Sequence, residues 1–213
     1  MQPLETGSIQ PINSKMKEMF WPKSKKIFIR YGVNGEGTCF WHSVCAAINY
    51  KGYLKKTASQ QRKLGQQFRC DFANNIDVED WNQFMNKRNI SSRVRRIAKT
   101  KKQLDKQFCT FDKWADESHI RWTGKELGLN IIFIDEMKNK IYCGVNGKRS
   151  DPMVVILWIR HSHFEPMGVL HKFNQNTKTA DMQLMFDPRH DSSVVTPLLT
   201  SYVGQCQTFK NDY

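Results

Sequence analysis

The chain has 213 residues, 39% hydrophobic and 12% aromatic, which suits one domain with extensions and a substantial core. A formal net charge of +13 points first to anionic partners, nucleic acid among them. No apolar run approaches the ~18 residues of a membrane span. The opening MQPLETGSIQPINSK lacks the charged and apolar regions of a signal peptide, so an intracellular setting is expected.

Residues 1–24 scatter Pro, Gly, Ser and Lys without a sustained period and read as an extension. KKIFIRYGV (25–33) predicts a short strand. After NGEGT, the run CFWHSVCAAINY puts Phe40, Trp41, Val44, Cys45 and Ile48 at helical spacing, a buried helix starting at or near Cys39. Helices are predicted over 57–75 and 78–88. Another follows Asp116, a good N-cap, and stops at Gly128. NIIFID is a buried strand, NKIYCGVNGK a strand leading into an Asn-Gly turn, and MVVILWIR (153–160) the strongest strand of all. From about Lys172 the chain is rich in Asn, Thr, Asp and Ser, with no clear period. There are no repeats. The pattern predicts a mixed α+β domain over 25–172, between an N-terminal extension (1–24) and a C-terminal tail (173–213).

Six cysteines (39, 45, 70, 109, 143 and 206) show no C-x-x-C and no repeated spacing, so reduced thiols are expected, with neither a zinc site nor a disulfide framework. From Lys87 to Lys106 nine basic side chains face the single acid Asp105. That stretch is either a solvated basic face or an anion-binding surface. No RNA-recognition or zinc-finger pattern accompanies it.

GEGTCFWHSV places Cys39 between a glycine-bearing loop and a helix start, where a thiolate is stabilised. Gly35 and Gly37 allow tight loop backbone whose N–H groups can meet an oxyanion. A base must come from elsewhere in the chain. WIRHSHFEPM ends a strand in His161-Ser162-His163, and alternation sets both imidazoles and Glu165 on one face. Either imidazole could reach a cysteine, with Glu165 fixing the tautomer. The bland alternatives are a small buried thiol and an ordinary strand-end histidine.

NGEGTCFWHSV resembles the nucleophile motif of the ovarian-tumour (OTU) family of papain-like cysteine proteases, Asp-Gly-Asn-Cys followed by an aliphatic or aromatic residue, Phe and a helix. VVILWIRHSHFEPM resembles its closing motif, an apolar strand ending in His-aromatic-x, and WADESHIRWTGKELGLNIIFID the Trp, helix and strand between them. The pieces stand in the family's order over about residues 27–170, matched only loosely between Tyr50 and Cys109. The resemblance implies a papain-type fold with helices around a small central sheet. It implies Cys39 as nucleophile, and His163 as base, chosen over His161 because Phe164 follows it. Glu165 stands at the orienting position, with Glu36, Gly37 and Thr38 in the oxyanion loop. Three positions depart from the pattern: Glu36 for Asp, Thr38 for Asn, and Glu165 for Asp or Asn.

The activity implied is hydrolysis of (iso)peptide bonds after the C-terminal glycine of ubiquitin or a ubiquitin-like modifier, with no metal or cofactor. The divergence of the motif would suit a viral protein in host cytoplasm. Two other classes stay open: an OTU-like ubiquitin-binding module with a weakened site, and an anion- or nucleic-acid-binding protein.

Overall fold

A computed structural model describes residues 2–87, 98–110, 115, 117–138, 140–143, 150–160, 162–174 and 179–202. In chain order its elements are β1 (Ile9–Pro11), α1 (Ser14–Phe20), β2 (Ile27–Tyr31), α2 (Cys39–Ala47), a 3-10 segment (Tyr50–Lys55), α3 (Ala58–Asn74), α4 (Val78–Lys87), α5 (Lys101–Cys109), α6 (Glu117–Leu127), β3 (Asn130–Asp135), β4 (Lys140–Cys143), β5 (Met153–Ile159), β6 (His163–Asn174), β7 (Thr179–Gln183), β8 (Met185–Phe186) and α7 (Ser192–Tyr202). The strands form one mixed sheet ordered β1-β2-β6-β5-β3-β4, with β7 added to β6 and β8 to β5. Among the described residues only β3 and β5 run parallel; the other pairs are antiparallel.

Strand alternation divides the core into two layers. Ile29, Tyr31, Phe133, Ile156 and Phe164 join the cluster built on α2–α6. Phe28, Ile134, Val155, Leu157 and Met167 join the cluster that includes Met16 and Phe20 of α1 and Val194 and Leu198 of α7. β3 is buried along its whole length, which is why NIIFID reads as a continuous apolar run. The result is an α+β fold with helices on both faces of a central sheet.

The strands over 130–135 and 153–159 and the helix from Cys39 lie where the sequence places them. α3 begins one residue after Thr57, which forms a capping box with Gln60. Asp116 and the Asn-Gly turn after Cys143 lie outside the described residues. The stretch before Lys25 contributes β1 and the seven-residue α1, too short to show a helical period. Beyond Lys172 the chain completes β6 and adds β7, β8 and α7.

One expectation fails. Cys70 on α3 and Cys109 at the end of α5 are joined as a disulfide, their Cα atoms 5.0 Å apart, so not all thiols are reduced. The 39-residue separation carries no signal; packing of α5 on α3 creates the proximity. Cys39 and Cys45 are free and buried. No helix among the described residues is long and apolar enough to cross a membrane. Much of the basic segment, 88–97, lies outside the described residues. Of the rest, Lys101 pairs with Asp105 at 2.8 Å and donates to the Ala73 carbonyl, holding α5 against α3.

Candidate active site

The loop before α2 is a tight reverse turn. Glu36 and Gly37 both have positive φ, 56° and 76°, and the Thr38 N–H donates to the Gly35 carbonyl at 3.1 Å, the pattern of a type I′ turn. Gly37 suits this conformation; Glu36 adopts it under strain. The Thr38 hydroxyl adds a 2.9 Å bond to the same carbonyl. The Thr38 carbonyl accepts the first helical bond, from the His42 N–H. Cys39 therefore begins the helix with its sulfur at the positive end of the peptide dipoles.

Ser43, one turn on, fastens this helix to the sheet. Its hydroxyl lies 2.8 Å from the Cys39 carbonyl and 3.2 Å from the Phe164 carbonyl of β6. The backbone N–H of Phe164 is aimed at the Cys39 sulfur. Cys39 and the start of β6 thus meet across more than a hundred residues of sequence. Phe164 packs edge-on against Phe40 and Phe133, fixing that approach.

His163 is the first residue of β6, opposite Ile159, and Glu165, opposite Leu157, shares its face of the sheet. The Nδ1 edge of the imidazole faces the turn: a Cβ on Gly35 would stand 3.8 Å from Nδ1. The other edge faces Glu165, with Nε2 3.6 Å from Oε1, too long for a hydrogen bond. Among the described residues Nε2 has no partner. Glu165 is fully buried and held from elsewhere: the Leu4 N–H donates to Oε1 at 2.6 Å and Arg30 Nη1 to Oε2 at 3.2 Å.

Burial governs the electrostatics. It pushes the Cys39 thiol up to about 11, against the N–H groups of Phe164 and Phe40 that favour the thiolate. It lowers His163 to about 4, and the Arg30 charge adds to that. It raises Glu165, opposed by the Leu4 N–H and by Arg30. The resting site at neutral pH therefore holds a neutral thiol near a neutral imidazole. Cys45 is driven well above the ordinary thiol range by burial and offers no competing nucleophile.

Glu36 does not stay within the turn. Its carboxylate is bound by Arg62 of α3 on the exposed surface. His42 stands one turn after Cys39 with Nδ1 2.9 Å from the Tyr53 hydroxyl, and burial holds it neutral, down to about 3. His161 lies outside the described residues. Arg30, the Leu4 N–H and Ser43 go unnoticed in the sequence. Arg30 alone leaves a trace there, as the one charge inside the apolar run IFIRY. Among the described residues no three His, Cys, Asp or Glu side chains gather as metal ligands would.

No family sequence profile matches the chain. No curated protein sequence is significantly similar to it. Solved structures do match. An ovarian tumour (OTU) domain in complex with ubiquitin superposes with a TM-score of 0.50 at 12% identity, covering 95% of this chain and 94% of that one. The Hazara virus OTU bound to ubiquitin gives 0.43 at 13% identity, covering 78% and 91%. The viral OTU domain protease from Qalyub virus gives 0.42 at 15% identity, covering 66% and 83%. The first of these, spanning nearly the whole of both chains, shows that the fold is OTU-like.

Proposed function

We propose that the chain is a thiol-dependent hydrolase acting on bonds to the C-terminal glycine of ubiquitin or a ubiquitin-like modifier. The observation that carries this reading is the convergence of Cys39, at a helix start behind a type I′ turn, with the first residues of β6. His163 Nδ1 takes the thiol proton as sulfur attacks the glycine carbonyl. Backbone N–H groups of the 35–39 loop receive the oxyanion, and Glu36, Gly37 and Thr38 shape that loop. His163 returns the proton to the departing lysine amine, the C–N bond breaks, and an acyl-enzyme is left on Cys39. Water, deprotonated by His163, then displaces the thiol. Glu165 orients the imidazole from its Nε2 side.

Ubiquitin enters as the ligand of the OTU domain with the same fold. The setting we infer is a host cytoplasm, for which the divergence of the motif is the whole support. The deciding experiment is reaction with ubiquitin carrying a C-terminal electrophile, followed by intact mass and peptide mapping. A single adduct on Cys39, lost in Cys39→Ala, is expected; an adduct on Cys45, or undiminished labelling of that variant, overturns the assignment. The unmade 3.6 Å contact between His163 and Glu165 favours a second reading, a module that holds ubiquitin without cleaving it. Saturable binding of ubiquitin with no adduct would select it.

A further inference from the structure

Glu165 is a fully buried carboxylate whose bonds run away from His163. Such a group stays ionised only if a cation or several donors compensate for lost water. Arg30 is the cation, 4% exposed. In the β2–β6 register Arg30 stands opposite Met167, one pleat from Glu165 on the same face, where a diagonal pair can meet. Its Nη1 reaches Glu165 and the Gln2 carbonyl, the latter at 2.8 Å, and its Nη2 reaches Gln10 Oε1 at 3.0 Å. Nε is buried and finds no partner among the described residues.

The N-terminal segment completes the clamp. Gly7 N–H donates to the Gly32 carbonyl and Gly32 N–H to the Ser8 carbonyl, so the segment is zipped along the end of β2. The approach is so close that a Cβ on Gly32 would lie 2.1 Å from the Glu5 carbonyl oxygen. This docking delivers the Leu4 N–H to Glu165 and the Gln2 carbonyl to Arg30.

We propose that Arg30 is a positioning residue of this site: it cancels the charge of Glu165, so that a balanced pair and not a bare anion faces His163 Nε2 across 3.6 Å. This rests on the catalytic reading above for its purpose, but its chemistry is independent of any ubiquitin substrate. Among the described residues, the charged and titratable groups facing His163 are Cys39 and His42 from α2, Arg30 from β2, and Glu165 on its own strand. Arg30 and Glu165 form the ion pair among them. Removing one of the two leaves the other buried and unmatched beside the imidazole. Removing both restores neutrality.

The test uses Arg30→Met, Glu165→Gln and the double variant in the full chain. Two readouts need no ubiquitin: the rate of Cys39 alkylation by iodoacetamide against pH, and the NMR titration of the His163 ring. Glu165→Gln leaves an uncancelled guanidinium beside the site, which favours the Cys39 thiolate, so alkylation at pH 7 rises by about tenfold, the equivalent of one pH unit. Arg30→Met moves the His163 titration upward by roughly one unit. The double variant returns both readouts close to wild type. A folded double variant as fast as Glu165→Gln overturns the proposal, as does a His163 titration unmoved in Arg30→Met. Should Arg30→Met fail to fold, Arg30→Lys keeps the charge and is expected to keep the titration; a shift there by a full unit equally overturns it. Failure of the ubiquitin probe would strike the catalytic reading and leave these results standing.

Discussion

The Cys39 half and the Glu165 half of the site are built on opposite plans. Cys39 sits on contiguous chain: turn, helix start and anchoring Ser43 span nine residues, all locally specified. Glu165 gathers its partners from Leu4, Arg30 and His163, and the bond from Leu4 crosses 161 positions. One half is written in local propensity, the other in sheet register. A cysteine at a helix start can be recognised from ten residues, whereas the electrostatics around it depend on which strands lie side by side.

That contrast can be broken most directly at His163, which joins the halves. His163→Ala should cut hydrolysis of a ubiquitin substrate by about 10²–10⁴, while His161→Ala leaves most of it; steady-state kinetics rank the two. Next come the two glycines that allow close approach on each side. Gly65→Ala would put a Cβ 2.1 Å from His42 Cε1, forcing α3 from α2. It should destabilise the fold by about 1–3 kcal/mol, read by urea titration. Gly32→Ala meets backbone instead, so the N-terminal segment must lift. Proteolysis before Ile9 should become rapid while the core transition moves less than in Gly65→Ala. Equal core losses from both would show that the halves are not separable.

The third prediction concerns pH. His163 and His42 are held to about 4 and about 3, so both stay neutral in the fold at pH values where an unfolded chain, near 6.5, takes up protons. Depressed pKa values mean full stability above about pH 6.5 and progressive loss as pH falls toward those values, on the order of a few kcal/mol. Urea midpoints at pH 7 and 4.5 should differ accordingly, and His42→Gln should shrink the difference. For hydrolysis the acid limb of kcat/KM should fall near pH 4, well below the ordinary histidine range. The smallest effect belongs to Arg62→Ala. The Glu36–Arg62 pair is exposed on both sides, so stability should change by no more than ~1 kcal/mol. A larger loss, in thermal melts, would mean the turn depends on α3.

Long periodic or apolar segments were legible from the sequence. NIIFID, MVVILWI and the Cys39 helix carry their own signal, being buried on every side or on a regular stripe. β1, α1 and β8 did not, since elements of three, seven and two residues take their stability from neighbours and not from pattern. Cys39 and His163 stood out through chemistry and order. Arg30 did not, because a lone charge in a strand says nothing about what lies across the sheet. The Cys70–Cys109 bridge was hidden for the same reason: its two helices meet only through packing.

The hydrogen bond from Leu4 to Glu165 also sets a clock on assembly. At about 5–20 residues per second, translation separates the appearance of the two residues by roughly 8–30 s. Through that interval the nascent chain can form α2 and its packed helices, yet Cys39 has no His163 beside it and Arg30 lacks Glu165. β2 has β1 at hand but waits in the same way for β6, and long-range pairings of this kind fold slowly. Union of the two halves is thereby withheld from the growing chain, and a ribosome-stalled product ending before His163 should be inert toward the ubiquitin electrophile expected to label the released protein.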